Sequence, residues 1–117
     1  MSAEPITIYH NPRCSKSRET LALIRKSGME PVIVEYLKEV PTKAELQKIL
    51  AQLHVPVETI VRQEEQMYKS QLKGKAFNED EWIQILRENP KLIQRPIVIR
   101  GSRGVIGRPP ENVKKLL

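Results

Sequence analysis

Residues 6–10, Ile-Thr-Ile-Tyr-His, are mostly β-branched or aromatic and read as a strand. Asn11-Pro12 signals a turn. Residues 14–27 carry a helical pattern, with Leu21, Ile24 and the flanking Ala22 and Leu23 turned to a core, and Gly28 is a good stop. Residues 31–37 read as a second strand, which makes a right-handed βαβ unit. Thr42 with Glu45 three residues on is a capping box, opening a helix carried by Leu46, Ile49, Leu50 and Leu53. His54-Val55-Pro56 breaks it. Residues 57–62 and 64–72 read as shorter helical pieces, and Lys73-Gly74-Lys75 as a loop. Asn78 caps a further helix through Trp82, Ile85 and Leu86 to Asn89-Pro90. Residues 97–100 are a third strand, joined tightly by Gly101-Ser102 to a fourth at 104–107. Pro109-Pro110-Glu111 opens a terminal helix over 112–117.

There are no internal repeats, and 117 residues with 39% hydrophobic and 29% charged content suit one domain, residues 1–117, around one core. No apolar run approaches the roughly 18 residues that span a bilayer, and the N-terminus lacks the basic and apolar regions of a secretory signal. No membrane association is expected. The single cysteine, Cys14, cannot form an internal disulfide, so a cytoplasmic, reducing setting is the default. A net charge of +6 with only 4% aromatic residues argues against a base-stacking nucleic-acid surface. It suits a small anionic substrate drawn in by a positive field. No long apolar surface stripe is evident, so a monomer is expected.

Cys14 stands where the first strand runs into the first helix. A sulfur at a first helical turn lies among unpaired N–H groups and the positive end of the helix dipole. Both favour thiolate, the nucleophilic form. The neighbours His10, Lys16 and Arg18 make the surroundings electropositive. His10 reads either as a solvent-facing strand end or as a supporting group that lowers the thiol pKa or fixes the loop. Asn11 can hold the loop by side-chain hydrogen bonds. Ser15 and Ser17 can donate hydroxyls to an anion or serve simply as early-helix residues. No second cysteine or histidine is near enough for a metal site, so metal ligands are expected to be none. His54 reads as a surface or helix-end residue.

The order β-α-β, helices, β-hairpin, helix is that of the thioredoxin fold. The expected fold class is α/β, a four-stranded mixed sheet flanked by helices, with a helical insertion between strands two and three lying over one end of the sheet. The segments His10–Arg18, Val61-Arg62, Arg95-Pro96-Ile97-Val98 and Gly107-Arg108-Pro109 resemble the glutaredoxin-linked arsenate reductases, the ArsC family. The similarity runs from Ile6 to the last helix. Ser15-Lys16 stand where members usually carry Gly-Thr, which keeps the backbone N–H groups and adds a charge.

The resemblance implies a cis peptide before Pro96, Cys14 as the catalytic nucleophile, and Arg62, Arg95 and Arg108 as oxyanion ligands. Guanidinium forks match such oxyanions by paired hydrogen bonds. It also implies glutathione as co-substrate, no tightly bound cofactor, and glutaredoxin as the partner that restores Cys14. Independently of any resemblance, one thiol cannot supply both electrons of an arsenate reduction through an internal disulfide, so a second thiol must come from outside. Two alternatives stand beside this reading. One is a related thiol-dependent oxidoreductase acting on another substrate. The other is an Spx-like regulator that binds RNA polymerase, although Asn11 stands where such redox switches carry the first cysteine of a C-x-x-C pair.

Overall fold

The computed structural model describes residues 4–117. Strands β1 (Ile6–Tyr9), β2 (Val32–Val34), β3 (Ile97–Arg100) and β4 (Arg103–Ile106) form one sheet in the order β2-β1-β3-β4. β1 pairs parallel with β2, Ile8 opposite Ile33. β3 runs antiparallel to both β1 and β4. The parallel pair is joined by α1 (Ser15–Lys26), whose buried Ser17, Thr20, Leu21 and Ile24 recur at helical spacing. Ala22 is exposed, contrary to the expectation of a core-facing residue. Gly28 follows at φ +92°, a backbone conformation that glycine adopts without strain.

Alternation along the strands divides the apolar side chains between two cores. On one face Ile6, Ile8 and Val98 pack with Leu21 and Ile24 of α1 and with Val113 and Leu116 of a terminal 3₁₀ helix (Pro110–Leu116). On the other, Ile97 and Ile99 pack beneath the segment between β2 and β3. That segment holds α2 (Lys43–Leu53), a 3₁₀ turn (Val57–Ile60), a wide π-type turn (Tyr68–Leu72), α3 (Glu79–Glu88) and a second 3₁₀ turn (Pro90–Leu92). Leu46, Ile49 and Leu50 of α2 and Trp82, Ile83 and Leu86 of α3 fill this second core. The insertion therefore covers a face of the sheet, not one end of it. Burial of each such side chain contributes about 1.5–3 kcal/mol before conformational entropy is set against it.

Both internal helices begin on reciprocal caps. Thr42 Oγ1 accepts the Glu45 N–H at 3.1 Å while Glu45 Oε1 accepts the Thr42 N–H at 2.9 Å. Asn78 and Glu81 repeat the device at 2.8 and 2.9 Å. Each cap satisfies donors that the first turn leaves unpaired and contributes about 1 kcal/mol.

Several boundaries differ from the sequence reading. The second strand ends at Val34, because the Glu35 carbonyl accepts the N–H groups of Lys38 and Glu39, both at 2.9 Å, and turns the chain. Residues 61–62 are not helical: Val61 forms a bridge with Ile93. The chain end is a 3₁₀ helix opening at Pro110, earlier than expected. The architecture is a thioredoxin-like α/β fold with a four-stranded mixed sheet. No helix among the described residues is long and apolar enough to cross a membrane.

Candidate active site

The turn between β1 and α1 is built to hold Cys14 in place. His10 lies just past β1, and its N–H still reaches the Val34 carbonyl at 2.8 Å. Asn11 Oδ1 accepts the Arg13 N–H at 3.0 Å, a side-chain mimic of a backbone turn. The Cys14 N–H donates to the Asn11 carbonyl at 3.0 Å, and the Cys14 carbonyl accepts the Arg18 N–H at 3.0 Å as the first bond of α1. Cys14 is thus the N-cap residue, with extended backbone and a half-buried side chain.

Burial alone pushes the Cys14 thiol up. The Ser17 N–H, the Arg95 guanidinium as both donor and charge, and the Lys16 N–H outweigh burial, so the thiol sits below its ordinary value. The sulfur forms no closed capping bond in the resting geometry, so these N–H groups act on it as aimed dipoles.

Behind the turn, Ser17 is completely buried, and its Oγ accepts the Asn11 N–H at 3.0 Å and contacts His10 Nδ1. The Ser17 hydroxyl therefore faces the loop, not an anion. His10 is buried too, and burial lowers its pKa; Glu35 opposes this, while Arg25 and Arg18 add to it. A neutral His10 brings no charge to the thiol; its contribution is to the shape of the loop. Arg18 Nη1 donates to the Pro12 carbonyl at 3.0 Å and straps the loop from outside. Ser15 is exposed at the start of α1, and the exposed Lys16 ammonium lies 3.8 Å from Glu19.

Two further loops meet the first. The Arg95–Pro96 peptide is cis, as is Arg108–Pro109. The Gly107 N–H donates to the Pro96 carbonyl at 2.9 Å. A Cβ at Gly107 would stand 2.6 Å from Thr20 Oγ1 and 2.7 Å from Pro96 Cγ, so only glycine lets this strand end pass between α1 and the Pro96 loop. Arg108 Nη1 donates to the Arg95 carbonyl at 3.0 Å and fixes the loop that carries Arg95. Arg95 Nε is buried without a hydrogen-bond partner among the described residues, on the same guanidinium that acts on the Cys14 sulfur.

Arg62 is brought in by the insertion. Its N–H donates to the Leu92 carbonyl at 2.7 Å, and the Gln94 N–H donates to the Ile60 carbonyl at 2.7 Å. This ladder sets Arg62 against the residues leading into Arg95. Its guanidinium pairs with Glu64 at 3.2 Å and Glu65 at 3.7 Å.

Sequence reasoning missed five contributors: Tyr36, Thr20, Gly107 as a spacer, and the glutamates Glu64 and Glu65 on Arg62. The Tyr36 hydroxyl is buried next to Asn11 and Arg95 without reaching a well-aligned partner, and burial is the main cause of its raised pKa. The alternation around Tyr36 suits a strand, which hid its place under the insertion. Glu64 and Glu65 were visible as neighbours of Arg62, but adjacency does not show pairing.

Arranged this way, the site presents a thiol held below its ordinary pKa beside the Arg95 guanidinium on a thioredoxin-like frame, a combination suited to thiol chemistry on anions. Comparison with known proteins narrows the class. The ArsC family model matches residues 9–116. An arsenate reductase of Haemophilus influenzae is 43% identical over 114 residues, covering 96% of this chain and 98% of that protein. The Escherichia coli protein YfgD, described only as uncharacterized, is also 43% identical, over 96% of each chain. The solved arsenate reductase of Vibrio cholerae superposes with a TM-score of 0.93 at 41% identity, covering 99% of this chain and all of that one (100%). The chain belongs to the ArsC family.

Proposed function

We propose that the protein is an arsenate reductase in which Cys14 is the nucleophile. The thiolate attacks the arsenic of a bound hydrogen arsenate dianion, an As–S bond forms, and an oxygen leaves as water with two protons from solvent. The product is a Cys14 thioarsenate monoanion. Arg95, with the N–H groups of Lys16 and Ser17, holds the oxyanion as charge shifts onto its oxygens. Arg62 adds a second guanidinium, and Arg108 acts by fixing the Arg95 backbone.

Glutathione supplies the second thiol. Its sulfur attacks the Cys14 sulfur, the As–S bond breaks, and its electron pair stays on arsenic. Arsenic is reduced by two electrons, each sulfur is oxidised by one, and the trivalent hydroxide leaves after protonation. Glutaredoxin then takes the glutathionyl group from the mixed disulfide, and Cys14 returns as a thiol. A protein whose only cysteine is Cys14 requires an outside thiol at this stage. A cytoplasmic location fits that supply of reduced thiols.

The observation that supports the reading most is the Arg95 guanidinium acting on a depressed Cys14 thiol while its buried Nε has no hydrogen-bond partner among the described residues. The test is arsenite production by the purified protein with arsenate, glutathione and glutaredoxin. The expected outcome is turnover in the native protein and none in Cys14→Ser. Equal turnover in both would remove Cys14 from the mechanism.

A further inference from the structure

Arg62 is occupied before any substrate arrives. Its Nε donates to Glu64 Oε1 at 3.2 Å, and its Nη1 lies 3.7 Å from Glu65 Oε1. The two ends of these pairs differ in their freedom. Only 11% of the Arg62 side chain is exposed, against 52% for Glu64 and 33% for Glu65. The Arg62 backbone is also tied, through its N–H, to the Leu92 carbonyl at 2.7 Å. The arginine is held; the carboxylates have water to move into. Glu64 is moreover a firm anion: its own backbone N–H, with Arg62 and Arg108, outweighs burial and keeps its carboxyl below the usual range.

We propose that Glu64 is a built-in competitor for the substrate, a carboxylate that neutralises Arg62 in the resting protein and swings into solvent when a tetrahedral oxyanion binds. The proposal rests on the reading of Arg62 as an oxyanion ligand. A dianion displaces Glu64 because it brings more charge and several oxygens to one fork. The trivalent arsenic hydroxide that leaves is uncharged at neutral pH and has no comparable hold on Arg62. Glu64 then returns and clears the fork for the next turnover. The exchange lowers affinity for the oxyanion, since every binding event breaks an existing pair. Glu65, farther from the guanidinium, plays the weaker part in the same exchange.

The test is titration with inorganic phosphate, a tetrahedral oxyanion that the thiol does not reduce, at fixed ionic strength and followed by calorimetry. Glu64→Gln, at an exposed position, should bind phosphate about threefold more tightly, the scale of a partly exposed ion pair. Glu64→Asp, which keeps the charge, should stay near the native value, and Arg62→Ala should bind more weakly. A Glu64 that served only to brace Arg62 would give weaker binding in Glu64→Gln; that result, or an unchanged affinity, overturns the competition. Should Arg62→Ala bind phosphate as well as the native protein, it is the assignment of Arg62 as a ligand that fails.

Discussion

His10 Nδ1 meets Ser17 Oγ directly behind the loop that carries Cys14. Ser17 Oγ already accepts the Asn11 N–H at 3.0 Å, so its own proton is free for the ring of a neutral His10. One hydroxyl therefore closes the turn from both sides. Ser17→Ala would leave the Asn11 N–H and the His10 nitrogen buried and unpaired. The expected loss is about 1–3 kcal/mol of stability in urea unfolding, with slower alkylation of Cys14 as the loop loosens. Native stability in this variant would show that the hydroxyl is dispensable to the turn.

The burial of His10 also makes stability depend on pH. Burial, first, and the charges of Arg25 and Arg18 hold His10 below its ordinary value despite Glu35. Between that lowered value and the ordinary one near 6.5, the unfolded chain binds a proton that the folded chain does not. The contribution is complete above the ordinary value and declines as pH falls toward and through the folded one. Unfolding free energies measured from about pH 8 down to about pH 5 should therefore fall, and His10→Gln should flatten that decline. Parallel curves for the two proteins would locate the pH dependence elsewhere.

Arg95 makes a separable contribution to the thiol. The Ser17 N–H, the Arg95 guanidinium and the Lys16 N–H together overcome burial at Cys14. The rate of alkylation by iodoacetamide should rise with pH around a midpoint below that of a free cysteine, ordinarily about 8.5. Arg95→Met, which keeps an unbranched apolar stem, should move the midpoint upward. An unmoved midpoint would leave the helix terminus alone as the cause.

What the sequence made legible is local. The β-branched stretch before the turn, the Thr42–Glu45 spacing and Asn78 ahead of an apolar run each encode a structure within a few residues, and β1 and both caps formed where read. Cys14 at a strand-to-helix junction was legible for the same reason. Failures cluster where distant residues decide. Val34, Glu35 and Tyr36 suit a longer strand, yet the chain turns at Glu35 and Tyr36 enters the core beneath the insertion. The bridge of Val61 with Ile93 is closed by the Arg62 N–H on the Leu92 carbonyl and the Gln94 N–H on the Ile60 carbonyl, across residues some thirty positions apart, which no local pattern reports. The convergence of Thr20, Pro96 and Gly107 likewise exists only in three dimensions. For the arginines, the family motif pointed to the residues, and the structure added what each one touches.

The most direct test of the central claim is intact-protein mass spectrometry after incubation with glutathione, with and without arsenate and without glutaredoxin. A nucleophilic Cys14 should accumulate one glutathione adduct per chain, on that residue, only when arsenate is present. A thiol that remains unmodified with arsenate, while still reacting readily with iodoacetamide, would contradict the account.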